Sequence, residues 1–349
     1  MNPDFLRYSC QMALPGFSES AQNLLQQAKV LVIGAGGLGC PSAQYLTAAG
    51  VGTLGIADFD VISISNLHRQ VLFTPAEAGK KKAAVACEKL QQQNPGIKLV
   101  PHDVRITSQN VMDIISAYDV LVDCTDNFDT RYLINDAGVL SGKSVVYGAI
   151  YQYEGQVAVW NVVNRSGSKS PNYRDLFPQV DAAQIPNCTE GGVIPTLAGI
   201  IGCMQANEVI KYITKTGDLL AGKILIFDAQ SMQSRVIKIG DATNTNITRL
   251  IETFISPTIT ADELKKHLVD NTATLIDVRT DEEREAFNIG GKHIPLDELA
   301  QHIDELNSTV KTIFYCASGK RSAEAVKMVK ERFPDADVVS LNEGLKSWE

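Results

Sequence analysis

A glycine-rich loop near the N-terminus has the residue types of a phosphate-binding site. The apolar run VLVI predicts a strand that leads into GAGGLG, and a helix is predicted directly after it. This is the pattern G-x-G-x-x-G, in which missing side chains let backbone N–H groups approach a phosphate at a helix N-terminus. Asp58, at the end of the next predicted strand, is placed to bond ribose hydroxyls, as in NAD-dependent oxidoreductases. A tight turn without a ligand is the plainer interpretation. The glycines of the pattern are Gly34, Gly36, Gly37 and Gly39.

Amide and cationic side chains after the second strand favour a triphosphate over a dinucleotide. Asn66, Arg69 and Gln70 lie within NLHRQ, and hydride transfer needs none of them. Lys82 begins another predicted helix, from which its ammonium could reach a triphosphate. Taken singly, Arg69 could be a surface ion pair and Lys82 one of three consecutive solvated lysines. Together at the ligand edge of one sheet, they favour ATP.

Asp126 and Asn127 follow the predicted strand in DVLVDCTDN. The carboxyl ends of strands form the edge at which doubly wound sheets bind ligands. A carboxylate there can hold Mg²⁺ against phosphate oxygens. The alternative for Asp126 is a turn residue before a helix. The prediction is that Asp126 holds Mg²⁺ and that Asn127 lies beside it in the nucleotide site.

A second loop with reactive residue types lies near the C-terminus. Strand KTIFYC ends at Cys316 and continues through Ala317-Ser318-Gly319-Lys320 to Arg321, where a helix begins. Such a turn aims backbone N–H groups at the sulfur and stabilises an anionic thiolate or persulfide. The C-x4-R spacing is tighter than the C-x5-R of phosphate-handling cysteine enzymes, which favours a terminal sulfur over a phosphate. Arg321 is expected to add positive potential, and an unreactive buried cysteine is the alternative.

The elements around these loops predict two α/β modules. From position 29 onward, short apolar runs alternate with helical periodicity, which is typical of a doubly wound, mostly parallel, Rossmann-like sheet. A long segment without clear period follows from Val163 to Glu190, and a polar linker precedes a second, smaller α/β unit. The predicted boundaries are 1–240 for the first domain, 241–255 for the linker and 256–349 for the second domain.

Composition limits the partners and the compartment. The chain has 349 residues, a net charge of -8 and 44% hydrophobic residues, so it can bury a substantial core, and it lacks the basic surface that nucleic acid or an anionic membrane would require. No secretory signal is recognisable, and the longest apolar stretch turns polar too soon to span a bilayer. Its seven cysteines are scattered and form no C-x-x-C pair, which predicts a reducing cytoplasm.

The first module resembles the MoeB/ThiF family of ubiquitin-activating-like adenylyltransferases from about Arg7 to Ile239. The motifs GAGGLG, DFD, NLHRQ, the lysine at 82, DCTDN followed by Arg131, and NCTEGGV match it in order and spacing. The resemblance implies a homodimer that uses ATP and Mg²⁺ to adenylate the C-terminal glycine of a ubiquitin-like sulfur carrier. It assigns ribose binding to Asp58, the metal to Asp126, and the triphosphate to Asn66, Arg69, Gln70 and Lys82.

Three sites in the sequence bear on how far the resemblance extends. The family's R-Y-x-R-Q pattern reads Arg7-Tyr8-Ser9-Cys10-Gln11 here, so the arginine that reaches a partner subunit's nucleotide is replaced by Cys10, and Arg7 is its candidate substitute. Asn172 and Asp175 take the place of the first zinc-binding cysteine pair and the second pair is absent, which predicts no zinc site. Cys188 occupies the position that some members use for covalent attachment to the carrier; a small loop residue is the alternative.

The second module resembles a single rhodanese domain over about residues 256–349, through LIDVR, HIPLDEL, the Cys316 loop and GLKSW. Arg279 is predicted to hold this domain together through a carboxylate. The fusion implies that an adenylated carrier receives sulfur from a Cys316 persulfide and becomes a thiocarboxylate for molybdopterin, thiamin or tRNA thiolation. A cysteine desulfurase is the expected upstream donor. The alternatives are a NAD-dependent oxidoreductase and a catalytically weakened scaffold that binds a carrier.

Overall fold

The computed structural model describes residues 3–164, 167–178, 192–251, 254, 256–306 and 310–348. The chain divides into two compact units, Met1–Thr253 and Phe254–Glu349, called the larger and the smaller unit below. Part of the predicted linker, residues 243–245, is hydrogen-bonded within the larger unit. No helix among the described residues is long and apolar enough to cross a membrane.

An eight-stranded sheet forms the centre of the larger unit. Its strands are β1 (Lys29–Ile33), β2 (Thr53–Ala57), β3 (Lys98–His102), β4 (Val120–Asp123), β5 (Ser144–Tyr151), β6 (Glu154–Trp160), β7 (Lys223–Asp228) and β8 (Gln233–Lys238). The order is β3-β2-β1-β4-β5-β6-β7-β8. Strands β1 to β5 pair in parallel and β6 to β8 add to them antiparallel. This confirms the predicted mostly parallel sheet.

Helices cover both faces of this sheet. They are α1 (Ser9–Met12), α2 (Glu19–Gln27), α3 (Gly39–Ala49), α4 (Lys82–Gln93), α5 (Val111–Ser116), α6 (Phe128–Ser141), α7 (Tyr173–Leu176) and α8 (Pro195–Thr214), with 3-10 turns at Pro3–Tyr8, Ile64–Asn66 and Pro75–Glu77. One apolar core packs α2, α3, α4 and α8 against the sheet, and a second packs α5, α6 and α7 against its other face. Burial on both faces explains why β1 and β4 are continuous apolar runs.

The strand order places the ligand edge between β1 and β4. The chain runs outward from β1 to β2 and β3, then returns to β4 on the other side of β1. A crevice opens where the order reverses, outside the carboxyl ends of the strands. The loops that follow β1 and β4 begin at Gly34 and Cys124, so the glycine loop and the Asp126 loop are neighbours there.

A short helix lies within the segment that the sequence predicts to be irregular between Val163 and Glu190. Helix α7 begins after Asn172, whose side chain accepts a hydrogen bond from the Arg174 amide, while Asp175 accepts one from the Asn172 amide. This reciprocal capping holds a helix of four residues that apolar periodicity cannot reveal.

The smaller unit contains five strands and four helices in the part that the structure describes. The elements are β9 (Thr258–Ile259), α9 (Ala261–Asp270), β10 (Ala273–Asp277), α10 (Asp281–Ala286), β11 (Lys292–His293), α11 (Leu299–His302), the 3-10 turn Ile303–Leu306, β12 (Lys311–Tyr315), α12 (Lys320–Arg332), β13 (Val338–Leu341) and the 3-10 turn Gly344–Ser347. The strands form an all-parallel sheet with the order β11-β10-β12-β13-β9. The sequence predicts one helix over 296–306, but this segment is divided into α11 and a 3-10 turn. The strands β9 and β11, two residues each, were too short to be predicted.

Candidate functional site

Close backbone packing demands glycine in the loop between β1 and α3. A Cβ atom on Gly39 would lie 1.8 Å from the Gly34 carbonyl oxygen. Gly34 itself has φ +97°, and a Cβ there would lie 2.8 Å from the Cys124 carbonyl oxygen. These contacts bring the loop against the one that follows β4. Gly36 and Gly37 instead face other side chains, since their Cβ atoms would lie 3.7 Å from Gln70 Nε2 and 3.4 Å from Arg69 Cγ.

Asp58 is tied to this glycine loop. Its Oδ2 accepts a hydrogen bond from the Ala35 amide at 2.7 Å, and its Oδ1 accepts one from the Asp60 amide at 2.8 Å. Burial raises the pKa of the Asp58 carboxyl, and the ammonium of Lys82 opposes that rise. The structure therefore brings together the acidic residue and the loop that sequence reasoning placed in one nucleotide site.

Lys82 begins α4 as predicted, and its partner is a residue that sequence reasoning missed. Its Nζ lies 3.1 Å from Asp60 Oδ2, and the lysine side chain is only 5% exposed. Such a buried ammonium requires a counter-charge, which Asp60 supplies. The motif DFD could have indicated this partner, because its second aspartate follows the same strand as Asp58. A phosphate that approached Lys82 would exchange with this carboxylate.

Arg69 and Gln70 lie over the glycine loop. Arg69 Nη2 donates to Asn66 Oδ1 at 3.1 Å, and the Arg69 and Gln70 amides both donate to the Asn66 carbonyl, so the three predicted residues share one turn. Gln70 is 4% exposed, and its Oε1 has no hydrogen-bond partner among the described residues. A buried amide without a full set of partners costs about 1–3 kcal/mol. This side chain is therefore available to a ligand that enters at Gly36.

Asp126 and Asn127 differ in how their side chains are used. Asn127 Oδ1 accepts a hydrogen bond from the Thr130 amide at 2.9 Å and so caps α6. Asp126 is exposed, and no donor in the described part of the chain bonds to its carboxylate. Mg²⁺ is commonly held by one or two carboxylates together with substrate phosphates. Asp126 fits that requirement, whereas Asn127 has a structural task.

A buried ion pair underlies this edge. Arg131 Nε lies 3.4 Å from Asp123 Oδ2, its Nη2 donates to the Thr125 carbonyl at 2.7 Å, and its guanidinium lies 4.9 Å from the Tyr147 ring centre. Burial would lower the pKa of Arg131, but Tyr147 and Asp123 favour the charged form and hold it above its usual value. The pair fixes the loop that carries Asp126. Asp123 was not singled out in the sequence, although it opens the motif DCTDN.

The Cys316 sulfur accepts a hydrogen bond from a backbone amide of its own loop. The Gly319 amide donates to Cys316 Sγ at 3.1 Å, and Ser322 Oγ lies 3.5 Å from the same sulfur. Gly319 has φ +87°, and Gly344 packs so closely that a Cβ on it would lie 2.2 Å from the Cys316 carbonyl oxygen. The turn Gly344–Ser347 therefore holds the loop in shape around a fully buried Cys316 thiol. Stabilisation of an anionic sulfur by this loop stays a prediction.

Arg321, which is expected to add positive potential around the loop, is paired with a carboxylate. Its Nη1 and Nη2 each lie 2.6 Å from an oxygen of Glu283, so its guanidinium is held in a two-bond ion pair. That carboxylate lies on α10, outside the Cys316 loop. No pattern in the loop itself indicated this partner, because Glu283 lies 38 positions away in sequence.

Arg279 holds the smaller unit together through a carboxylate, as predicted. Its Nε and Nη2 donate to Asp277 at 2.9 and 2.7 Å, and Nη2 also donates to the Phe287 carbonyl at 2.7 Å. The Asp277 side chain is 0% exposed. Burial would raise the pKa of Asp277, but hydrogen bonds from Arg279 keep that pKa below its usual value. The pair ties the end of β10 to α10.

Comparison with known proteins identifies both units. The model of the ThiF family matches residues 8–248, and that of the rhodanese-like domain matches residues 260–349. The chain belongs to the ThiF family. This membership implies ATP as the nucleotide of the larger unit.

Relatives of similar length have the same two-part arrangement. The probable adenylyltransferase/sulfurtransferase MoeZ of Mycobacterium tuberculosis is 38% identical and covers 98% of this chain and 92% of its own. Adenylyltransferase and sulfurtransferase MOCS3 of Drosophila grimshawi is 37% identical over 99% of this chain and 84% of its own. This ThiF-family chain is accordingly an adenylyltransferase and sulfurtransferase, which sets the NAD-dependent oxidoreductase aside. A crystal structure of E. coli MccB shares the fold, with a TM-score of 0.59 at 20% identity, over 71% of this chain and 74% of its own.

In this ThiF-family domain, a polar cluster contains Asn172 and Asp175, the two residues expected from the family resemblance to replace the first zinc-binding cysteine pair. Asn172 Nδ2 donates to Thr243 Oγ1 at 2.9 Å and also to Thr245 Oγ1. Thr243 Oγ1 donates to Asp175 Oδ2 at 2.7 Å, and the Asn244 amide donates to Asp175 Oδ1 at 2.7 Å. These hydrogen bonds join the start of α7 to residues some seventy positions later. We call these residues the 172–245 cluster.

The cysteines of the ThiF-family chain differ in their surroundings. Burial raises the pKa values of Cys40 and Cys87 to about 12, which keeps both as unreactive thiols. Cys10 is exposed. Arg7, its predicted substitute, donates to the Gln93 carbonyl at the far end of α4 from Lys82. Cys188, the candidate for covalent attachment, lies outside the described residues.

Proposed function

We propose that the chain adenylates the C-terminal carboxylate of a ubiquitin-like sulfur carrier and then converts it to a thiocarboxylate with sulfur held on Cys316. The observation that carries this proposal is the presence on one polypeptide of two loops. One is the glycine loop beside the Asp126 loop, which we call the nucleotide edge, and the other is a cysteine loop whose Gly319 amide donates to Cys316 Sγ. A relative named sulfur carrier protein adenylyltransferase, from Thermus thermophilus, is 45% identical over 67% of this chain and 86% of its own. It supports a sulfur carrier as the substrate.

Adenylation brings together two anions, the carrier carboxylate and the triphosphate of ATP. The carrier carboxylate attacks the α-phosphorus of ATP, the bond to the pyrophosphate oxygen breaks, and pyrophosphate leaves with the electron pair. Arg69 and Lys82 supply positive charge at the glycine loop, which offsets the repulsion and positions the phosphates. Asp58 holds the ribose. Asp126 would hold Mg²⁺, which, when bound, supplies further positive charge against the phosphate oxygens.

Sulfur transfer then uses the smaller unit. The terminal sulfur of a Cys316 persulfide attacks the carbonyl carbon of the acyl adenylate, and AMP leaves with the electron pair. The product is an acyl disulfide on Cys316. A second thiolate must attack Cys316 Sγ to release the thiocarboxylate and leave a disulfide on the enzyme. Cys188 is the candidate for that thiolate. Tethering both steps on one chain raises the effective concentration of the partners.

The proposal also includes the oligomeric state, the sulfur donor, the pathway that uses the product and the cellular location. A homodimer is expected from the ThiF-family resemblance, and a cysteine desulfurase is expected to load Cys316. The carrier product would serve molybdopterin, thiamin or tRNA thiolation. The six cysteines within the described residues are free thiols, which supports a reducing, cytoplasmic location.

Two variants test the proposal by separating its halves. We expect Asp126→Ala to lower ATP–pyrophosphate exchange, measured with a ubiquitin-like carrier and Mg²⁺, by at least about a hundredfold, because transition-state charge loses its stabilisation. Cys316→Ala should leave the exchange unchanged but abolish thiocarboxylate formation, measured by the mass of the carrier. Full sulfuration by Cys316→Ala would contradict the role of Cys316. Absence of exchange in the wild-type chain would favour the carrier-binding scaffold instead.

A further inference from the structure

The ion pair between Arg321 and Glu283 joins the end of the Cys316 loop to a different helix. Arg321 lies in the first turn of α12, and each of its terminal nitrogens is 2.6 Å from a Glu283 oxygen. Both side chains are 35% exposed, so the pair lies at the surface of the smaller unit and is open to solvent. A guanidinium and a carboxylate in this arrangement form the strongest kind of side-chain hydrogen bond.

Glu283 is held in place independently of Arg321. Its carboxylate also accepts a hydrogen bond from the Thr280 amide at 3.2 Å, and Thr280 Oγ1 accepts one from the Glu283 amide. This reciprocal cap fixes the start of α10. Hydrogen bonding to Arg321 keeps the pKa of Glu283 below its usual value. The carboxylate is thus a fixed negative charge beside the loop at neutral pH.

The position of this negative charge bears on which sulfur donor can approach. Arg321 directly precedes Ser322, whose Oγ lies 3.5 Å from Cys316 Sγ, so the ion pair begins one residue from a side chain that contacts the reacting atom. The Glu283 carboxylate neutralises that guanidinium and repels small anions. We propose that Glu283 is a specificity-determining residue of the sulfurtransferase, which disfavours dianionic donors such as thiosulfate and leaves Cys316 to sulfur carried on a cysteine of another protein. This inference rests on the proposed role of Cys316.

The two kinds of donor react by the same balanced step but differ in charge. The Cys316 thiolate attacks the outer sulfur of the donor, the new S–S bond forms, and the donor's S–S bond breaks. Thiosulfate then leaves as sulfite, and a protein persulfide leaves as a cysteine thiolate, each with the electron pair. Thiosulfate brings two negative charges to the loop, whereas a persulfide brings at most one. Repulsion from Glu283 is therefore larger for thiosulfate.

Substitution of Glu283 by Gln tests the inference in the full-length chain. The amide keeps the shape and the bonding to Thr280 but removes the charge. We expect the KM for thiosulfate, with cyanide as acceptor, to fall about tenfold, and the KM for a persulfidated cysteine desulfurase to change less than twofold. Glu285→Gln is the matched control, since it removes the same charge from an exposed site on α10. Equal effects of both variants, or an unchanged ratio of the two KM values for Glu283→Gln, would overturn the proposal.

A double variant keeps the test decisive if Glu283→Gln perturbs the fold. Glu283→Arg with Arg321→Glu restores an ion pair but puts the carboxylate on the loop. If the ion pair had only a structural role, the double variant would have wild-type KM values for both donors. We expect instead that thiosulfate use falls below the wild-type level while the melting temperature recovers. Cys316→Ala distinguishes failure of the proposed function from failure of the inference about Glu283. Sulfur transfer that persists without Cys316 would refute the proposed function itself.

Discussion

The nucleotide edge and the Cys316 loop are assembled in opposite ways. The edge draws its residues from separate segments that the sheet brings together, from the glycine loop to the loop after β4. The Cys316 loop is one contiguous turn, completed by a glycine that packs against it. A distributed site depends on the whole larger unit being folded, whereas a contiguous turn depends on its own backbone. The two sites should therefore fail in different ways when perturbed.

The two regions agree in their electrostatics. In each, a cation that the sequence assigns to an anionic ligand is already paired with a carboxylate of the chain: Lys82 with Asp60 and Arg321 with Glu283. Pairing lowers the cost of keeping a charge partly buried before a ligand arrives. An incoming anion must exchange with that carboxylate. Selectivity therefore depends on the partner carboxylates as well as on the cations.

The largest expected effect comes from adding a methyl group to Gly39 in the glycine loop. Gly39→Ala would place a Cβ 1.8 Å from the Gly34 carbonyl oxygen, and backbone must shift to relieve it. We expect a stability loss of more than about 3 kcal/mol in the larger unit and loss of pyrophosphate exchange. Sulfur transfer from thiosulfate to cyanide should persist. Thermal melting and both activity assays check this.

Gly36→Ala is the control for stability, because its Cβ would meet only Gln70 Nε2 at 3.7 Å. Its melting temperature should stay close to that of the wild type. If Gly39→Ala melts like Gly36→Ala, the close packing of the loop does not govern the distributed site.

An intermediate effect is expected from the buried pair of the smaller unit. Asp277→Ala removes a carboxylate that is 0% exposed and leaves the Arg279 guanidinium buried without its partner. Such a loss costs about 3–5 kcal/mol, here confined to one unit. Hydrogen exchange should rise across β10 and β12 while exchange in the larger unit and pyrophosphate exchange are unchanged. Increased exchange in both units would show that the two sites are not independent.

The sequence predicted the loops better than the contacts between them. Glycine patterns, strand ends and the C-x4-R spacing depend on neighbours in the chain, so the nucleotide loop, the start of α4 at Lys82 and the Cys316 turn follow from local rules. Asp60 and Glu283 could not be chosen in the same way, because an ion pair across 22 or 38 positions depends on how the fold brings two distant segments together. The four-residue helix α7 escaped detection because its cap, and not its periodicity, defines it.

The smallest effect is expected in the 172–245 cluster, which contains the two residues expected from the resemblance to replace a zinc-binding cysteine pair. Thr243→Val keeps the shape but removes the hydrogen bond to Asp175 and the one from Asn172. We expect a loss of about 1–2 kcal/mol in the larger unit, which lowers its melting temperature by a few degrees. A zinc chelator should leave the melting temperature of the wild type unchanged, because Asn172, Asp175 and Thr243 are joined by hydrogen bonds that need no metal. A chelator-induced fall in the melting temperature would contradict the predicted absence of zinc. An unchanged melting temperature in Thr243→Val would show instead that the cluster contributes little to the stability of the larger unit.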